Sequence, residues 1–114
     1  MNISKITMLI LSLFLSIQGF GQIKNKKTES FKVWGNCDMC KKTIENAVFQ
    51  KNIAVARWNA ETQLVVLFYD STQTKSDILL KKIADAGYDN EKYTADDKIY
   101  GKLHGCCQYE RKGK

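Results

Sequence analysis

Two apolar runs, residues 53–59 (IAVARWN) and 63–69 (QLVVLFY), are separated only by AET, and no other feature of the chain narrows its possible folds as much. Both are rich in β-branched and aromatic residues, the make-up of strands. So short a connection permits an antiparallel hairpin and excludes a parallel return, which needs a crossover of about a dozen residues or more. On either side of the hairpin the apolar period changes to that of a helix. Before it, Cys40, Ile44, Ala47 and Val48 share one face while Lys41, Lys42, Glu45 and Asn46 take the other. This predicts a helix with Asp38 as N-cap and a stop near Asn52. After it, Ile78, Leu79, Ile83 and Ala86 repeat the pattern, behind a capping-box-like Thr74 and Asp77 and ahead of Gly87, a natural residue to follow a helix end.

Short strands read at residues 30–34 (SFKVW), which end at Gly35, and near 88–93 (YDNEKY). The order is then strand, helix, strand, strand, helix, strand. It predicts an α+β fold, the ferredoxin-like βαββαβ sandwich, with a four-stranded antiparallel sheet and two helices on one face. One such domain is what a chain of 114 residues, 44% hydrophobic and 26% charged, supports. Residues 1–21 stand outside it. Lys5 is followed by ITMLILSLFLSI and then by GFG, with Gly19 and Gly21 as small residues before a cut, which reads as a secretory signal peptide. The apolar run is shorter than the roughly 20 residues of a bilayer span. The expected plan is a signal peptide at 1–21, a flexible amino-terminal segment at 22–28, the domain at 29–93 and a Cys/His-containing extension at 94–114. After signal cleavage no membrane attachment is expected, and the location is periplasmic or secreted, where disulfides can form. The net charge of +6 comes from scattered lysines. That pattern is a solvated surface rather than a nucleic-acid footprint.

The chemistry concentrates in the cysteines. Cys37 falls in the loop after the first strand and Cys40 in the first turn of the first helix, where the helix dipole and the nearby Lys41 and Lys42 favour thiolates. Thiolates are nucleophiles and equally soft ligands that select copper(I) or zinc over magnesium or calcium, so this pair alone leaves redox chemistry, a plain disulfide and metal binding open. The thioredoxin arrangement fails, because the strand and helix order differs and a chain without proline cannot supply the cis-proline of that family. A closed zinc site would need four ligands, which Cys37, Cys40, Cys106 and Cys107 or His104 could provide. Met39, between the first two cysteines, reads as a partly exposed spacer. No nucleophile and base pair, glycine-rich phosphate loop or paired carboxylate stands out, so no enzyme is expected.

Together, GNCDMC, the WNAET turn, VVLFYD and the AGY after the second helix resemble the heavy-metal-associated domain of copper chaperones, metal-pumping ATPase amino termini and periplasmic mercury scavengers. The resemblance spans residues 29–93. It implies that Cys37 and Cys40 hold a soft ion, copper(I) first, with mercury(II) or zinc(II) as alternatives. It further implies that a metal-transporting ATPase, an efflux system or another metal-accepting protein receives the ion. Tyr88 matches the AGY tyrosine that lies behind the ligands in bacterial members. Asn36 departs from the pattern, standing directly before Cys37 where a Met-Thr pair is usual. The alternative function is a thiol module without metal, either a structural disulfide protein or a redox partner.

The extension carries LHGCCQYER, with His104, Cys106 and Cys107, and similar CCQYER endings accompany secreted members of this group. Three fates are open to it: adding ligands to Cys37 and Cys40, forming a separate site, or making disulfides with the loop. A further expectation concerns the strand at 63–69. Val65, Leu67 and Tyr69 alternate toward the helices, which leaves Leu64, Val66 and Phe68 on the opposite face with Trp34. Tyr100, Leu103 and Tyr109 of the extension are expected to cover them.

Overall fold

A computed structural model describes residues 22–113; the expected signal peptide lies outside the described residues. The elements run β1 (Lys26–Lys32), α1 (Asp38–Val48), β2 (Ala54–Asn59), β3 (Leu64–Asp70), α2 (Ser76–Asp85), a short α3 (Asp97–Gly101) and a 3-10 turn (Gly105–Cys107). β1, β3 and β2 form an antiparallel sheet in that order. β1 begins at Lys26 and pairs it with Asp70. Residues 26–28, read above as flexible, are therefore strand. The hairpin forms, closed by a four-residue connection, 60–63: the Asn59 side chain accepts from the Glu61 and Thr62 amides, and Gln63 takes φ +60 to re-enter the sheet.

Helix boundaries shift from those expected. Cys37, not Asp38, is the extended residue ahead of α1, and α1 stops at Val48, leaving Asn52 with φ +63 inside the turn that leads to β2. Lys75 rather than Thr74 precedes α2; Thr74 is buried and its amide donates to Asp70 O. Gly87 follows α2 with φ +110, the left-handed conformation that glycine adopts without a Cβ penalty. Cys40, Ile44 and Val48 of α1 and Leu79, Leu80 and Ile83 of α2 meet Ala56, Trp58, Val65 and Leu67 of the sheet in one buried cluster. Full burial of each aliphatic side chain stabilises by roughly 1.5–3 kcal/mol, which explains why the period-2 and period-3.6 patterns interlock as they do.

The four-stranded sheet is not what forms. Where a fourth strand was expected, the chain makes a single bridge, Val33 to Asn90, flanked by Trp34 N to Asp89 O at 2.9 Å and Glu91 N to Lys32 O at 3.1 Å. The reason is local. Asn90 turns the chain back on itself, accepting from the Lys92 and Tyr93 amides through its side chain and pairing its own amide with Tyr93 O, while its Nδ2 donates to Leu80 O inside the protein.

The extension docks, but not over the open sheet face. Tyr109 joins the core between sheet and helices, stacking on Tyr88 with centroids 5.5 Å apart and meeting Tyr100 edge-on at 5.1 Å. Leu103 closes over Gly87. On the far face Val66 and Phe68 are half-buried and Leu64 exposed, with Lys26 Nζ 5.8 Å from the Phe68 ring and Lys32 Nζ 4.7 Å from that of Trp34. Lysine stems, not tail aromatics, shield it.

What holds the extension is Asp89, one residue past Tyr88. Its carboxylate receives Arg111 Nε at 3.0 Å and Nη2 at 2.8 Å, together with the Ala95 and Lys112 amides. Arg111 continues to Ala95 O and Asp97. The Asp89 amide donates to Tyr109 Oη, which donates in turn to Gly87 O. Burial pushes the Asp89 carboxyl up, but Arg111 and the two amides outweigh it and hold the group below its usual value. A depressed folded value stabilises the protein above the unfolded pKa of about 3.9 and is lost as pH falls through the folded one. Arg111→Ala leaves Asp89 charged and buried. We expect it to cost about 3 kcal/mol or more in urea unfolding at neutral pH, with much of the loss recovered in the Asp89→Asn/Arg111→Ala double variant.

Candidate metal centre

The loop between β1 and α1 is shaped from beneath by Trp58, whose indole is fully buried and donates through Nε1 to Val33 O at 2.9 Å. Gly35 lies against this ring: a Cβ there would come 2.7 Å from it, so only glycine permits the approach. Gly35 N also donates to Gln63 Oε1 at 3.0 Å. Trp58 thus supplies a rigid floor to a loop that carries Asn36 where the resembling family has Met-Thr. The sequence offered no periodic signal for this, since Trp58 counts there only as an inward strand residue.

Chain direction then sets the sulfurs. Cys37 is half-buried at the helix start and Cys40, one turn into α1, is fully buried. Their Sγ atoms are 3.8 Å apart, and Asn36 N donates to Cys40 Sγ at 3.4 Å. From the extension, the 3-10 turn brings Cys107 Sγ to 3.8 Å from Cys37 Sγ. The sulfurs of Cys37, Cys40 and Cys107 all lie within 4.8 Å of one another, the one such cluster among the described residues. Asn36 Nδ2 pins the turn by donating to Cys106 O at 2.9 Å, and Cys37 Sγ approaches the same oxygen at 3.4 Å. All four cysteines are free thiols.

The other residues singled out in the sequence divide. Cys106 is exposed, its Sγ 4.0 Å from Cys107 Sγ and 3.6 Å from Met39 Sδ. His104 is exposed and outside the cluster, contributing its carbonyl to the Cys107 amide. Lys41 reaches Trp58 O at 3.1 Å and Glu45 at 3.4 Å, fastening α1 to β2. Tyr88 is fully buried, with its hydroxyl meeting no hydrogen-bond partner. Its pKa is raised by burial first and then by the neighbouring Cys40 and Cys107 side chains.

Electrostatics grade the thiols. Cys37 is lowered to about 7, chiefly by the Cys40 amide; burial opposes this, and the Met39 amide and the Cys106 and Cys107 contacts add to it. Cys107 is pushed up to about 12 by burial and then by Cys40 and Cys37. A lowered thiol is ionised above its pKa, so Cys37 is about half thiolate at neutral pH. In the reduced protein, iodoacetamide labelling of Cys37 should therefore rise through a midpoint near pH 7, while Cys107 stays protected below pH 9. Peptide mapping by mass spectrometry reads both.

No family model matches this chain, and a search of curated proteins finds no match. Among solved structures, one described as a CopZ metallochaperone superposes with a TM-score of 0.53 at 29% sequence identity, covering 98% of that chain and 56% of this one. The neighbour is matched almost whole, whereas more than two-fifths of the present chain has no counterpart in it. Together with the sulfur cluster, it supports a heavy-metal-associated family and points to metal binding.

Proposed function

We propose that this protein binds copper(I) through Cys37, Cys40 and Cys107 and passes it by thiolate exchange to a metal-accepting partner protein. The observation that carries the reading is the triangle of sulfurs, two edges at 3.8 Å and all within 4.8 Å. Metal–thiolate bonds of about 2.3 Å place three coplanar sulfurs about 4 Å apart, so the triangle needs little rearrangement to close on an ion. Three sulfurs without a fourth ligand suit a soft ion of low coordination number. Structural zinc takes four ligands, and here His104 stands apart while Cys106 faces Met39. Mercury(II) is the second ion such a site accepts.

Exchange follows from the gradient of exposure. Cys37 is the half-exposed corner and Cys40 and Cys107 are buried, so an acceptor thiolate reaches the ion on the Cys37 side. The incoming sulfur bonds to copper(I) before an original sulfur leaves; the departing thiolate takes a proton from solvent and the copper stays monovalent throughout. The neighbour described as a metallochaperone supports such a carrier role, and no catalytic step is part of it. The apolar leader read in the sequence supports exchange outside the cytoplasm, with a transporter, an efflux system or another exported protein as acceptor.

Anaerobic titration of the reduced protein with copper(I) against a competing chelator, followed by X-ray absorption, tests this. Three sulfur neighbours are expected, falling to two in Cys107→Ser with an affinity loss of about tenfold or more, equivalent to about 1.4 kcal/mol. Cys37→Ser and Cys40→Ser should lose more and still fold. A protein that takes up neither copper(I), mercury(II) nor zinc(II), or that unfolds when half-buried Cys37 alone is replaced, is a disulfide or redox module instead.

A further inference from the structure

Five sulfurs, not three, form a continuous chain at this end of the molecule. Cys40 lies 3.8 Å from Cys37, Cys37 3.8 Å from Cys107, Cys107 4.0 Å from Cys106, and Cys106 3.6 Å from Met39. Cys40 and Cys107 are buried and Cys37 half-buried, whereas Cys106 and Met39, the latter 46% exposed, lie at the surface. The inner triangle uses the first three. The last two have no role in it.

We infer that Cys106, Met39 and Cys107 form a second, outer soft-ion site that shares the Cys107 sulfur with the inner triangle, so that the saturated protein carries two copper(I) ions bridged by one thiolate. This rests on the reading of the inner triangle as a copper(I) site. The outer separations of 4.0 and 3.6 Å match the spacing of the inner ones, so the outer sulfurs continue from the inner triangle at its Cys107 corner. Both outer donors are soft: a thiolate and a thioether, the ligand types that select copper(I). Met39 is a spacer in the sequence, yet the structure places its sulfur against Cys106 rather than in solvent alone.

The turn that makes the junction is fixed independently of any ion. Asn36 Nδ2 holds Cys106 O at 2.9 Å, and the Cys107 amide bonds His104 O at 2.8 Å, so consecutive cysteines present both sulfurs to the loop. Charge is also in balance. Three thiolates around one copper(I) carry two net negative charges, and a second copper(I) arriving with the Cys106 thiolate leaves that total unchanged. The Tyr88 hydroxyl, buried without a hydrogen-bond partner and neighbouring Cys40 and Cys107, is a donor available to this charge from within. Each ion enters as copper(I) and leaves as copper(I), with protons released from the thiols that bind it.

The test is native mass spectrometry of the reduced full protein under rising copper(I), buffered by a chelator, with X-ray absorption on the same samples. Two ions at monomer mass are expected, with a copper–copper scattering path that appears between one and two equivalents. Cys106→Ser should hold one ion and lose that path. Met39→Leu should weaken the second ion about tenfold or more, and in both variants the first ion's affinity should change less than threefold. Saturation at one ion in the wild type, two ions only at dimer mass, or a second ion that survives Cys106→Ser would overturn the outer site while leaving the inner one standing. Failure to bind even a first ion removes the inner reading and the outer one with it.

Discussion

Arg111 brings its guanidinium into a nearly closed space beside Asp89, and the placement of the third sulfur depends on that pair. Removing two charges from water costs several kcal/mol each, and only close geometry with further hydrogen bonds offsets it. Here the offset is thorough: two guanidinium contacts and two backbone amides satisfy the carboxylate, and Arg111 meets Ala95 O and Asp97 besides. Tyr109 lies two residues after Cys107 and Arg111 four. With the aromatic ring fixed on Tyr88 and the charge fixed on Asp89, the turn carrying Cys107 has no slack. A flexible tail of the same length would present its thiol at a millimolar effective concentration; a docked one presents it in place.

The same economy explains why the sheet is short of a strand. Residues 88–90 could have continued along β1, but each has a task facing elsewhere. Tyr88 fills the core behind the cysteines, Asp89 anchors the extension, and Asn90 bonds Leu80 O and reverses the chain. One bridge to Val33 is what remains. The extension completes the core beside Tyr88 through the stacked Tyr109 ring.

Much of this was legible in the sequence where a period or a short connection decides. The hairpin, the α1 face and the Gly87 terminus follow from apolar spacing and from a short polar connection; the α2 face does so only in part, since Ile78 is exposed while Leu80 and Ala84 are buried. The Cys37 and Cys40 pair was legible because strand-to-helix loops place side chains predictably. Contacts that rest on shape or on single buried charges were not. Nothing in the residues around Asp89 announces a partner 22 positions away in Arg111, and a glycine before Asn36 does not say that Trp58 lies under it. Tyr100, Leu103 and Tyr109 were rightly read as needing burial, but hydropathy cannot say against which face. The pairing with Tyr88 was decided by an aromatic surface left uncovered inside, while lysine stems satisfied the outside.

Cys107 is at once part of the sulfur cluster and, with Tyr109, part of the core, so on the proposed reading the extension's folding and the affinity for an ion are two readings of one coupling free energy. Linkage is reciprocal. A protein surface that grips the extension in an opened form must lower ion affinity by the same factor by which the bound ion resists that grip. Under the proposed function, a receiving protein would therefore not need to attack the metal at all to favour release. Under the same reading, binding to the sequence around Tyr109 and Arg111 would loosen the third sulfur, with the energy coming from recognition of peptide rather than of metal.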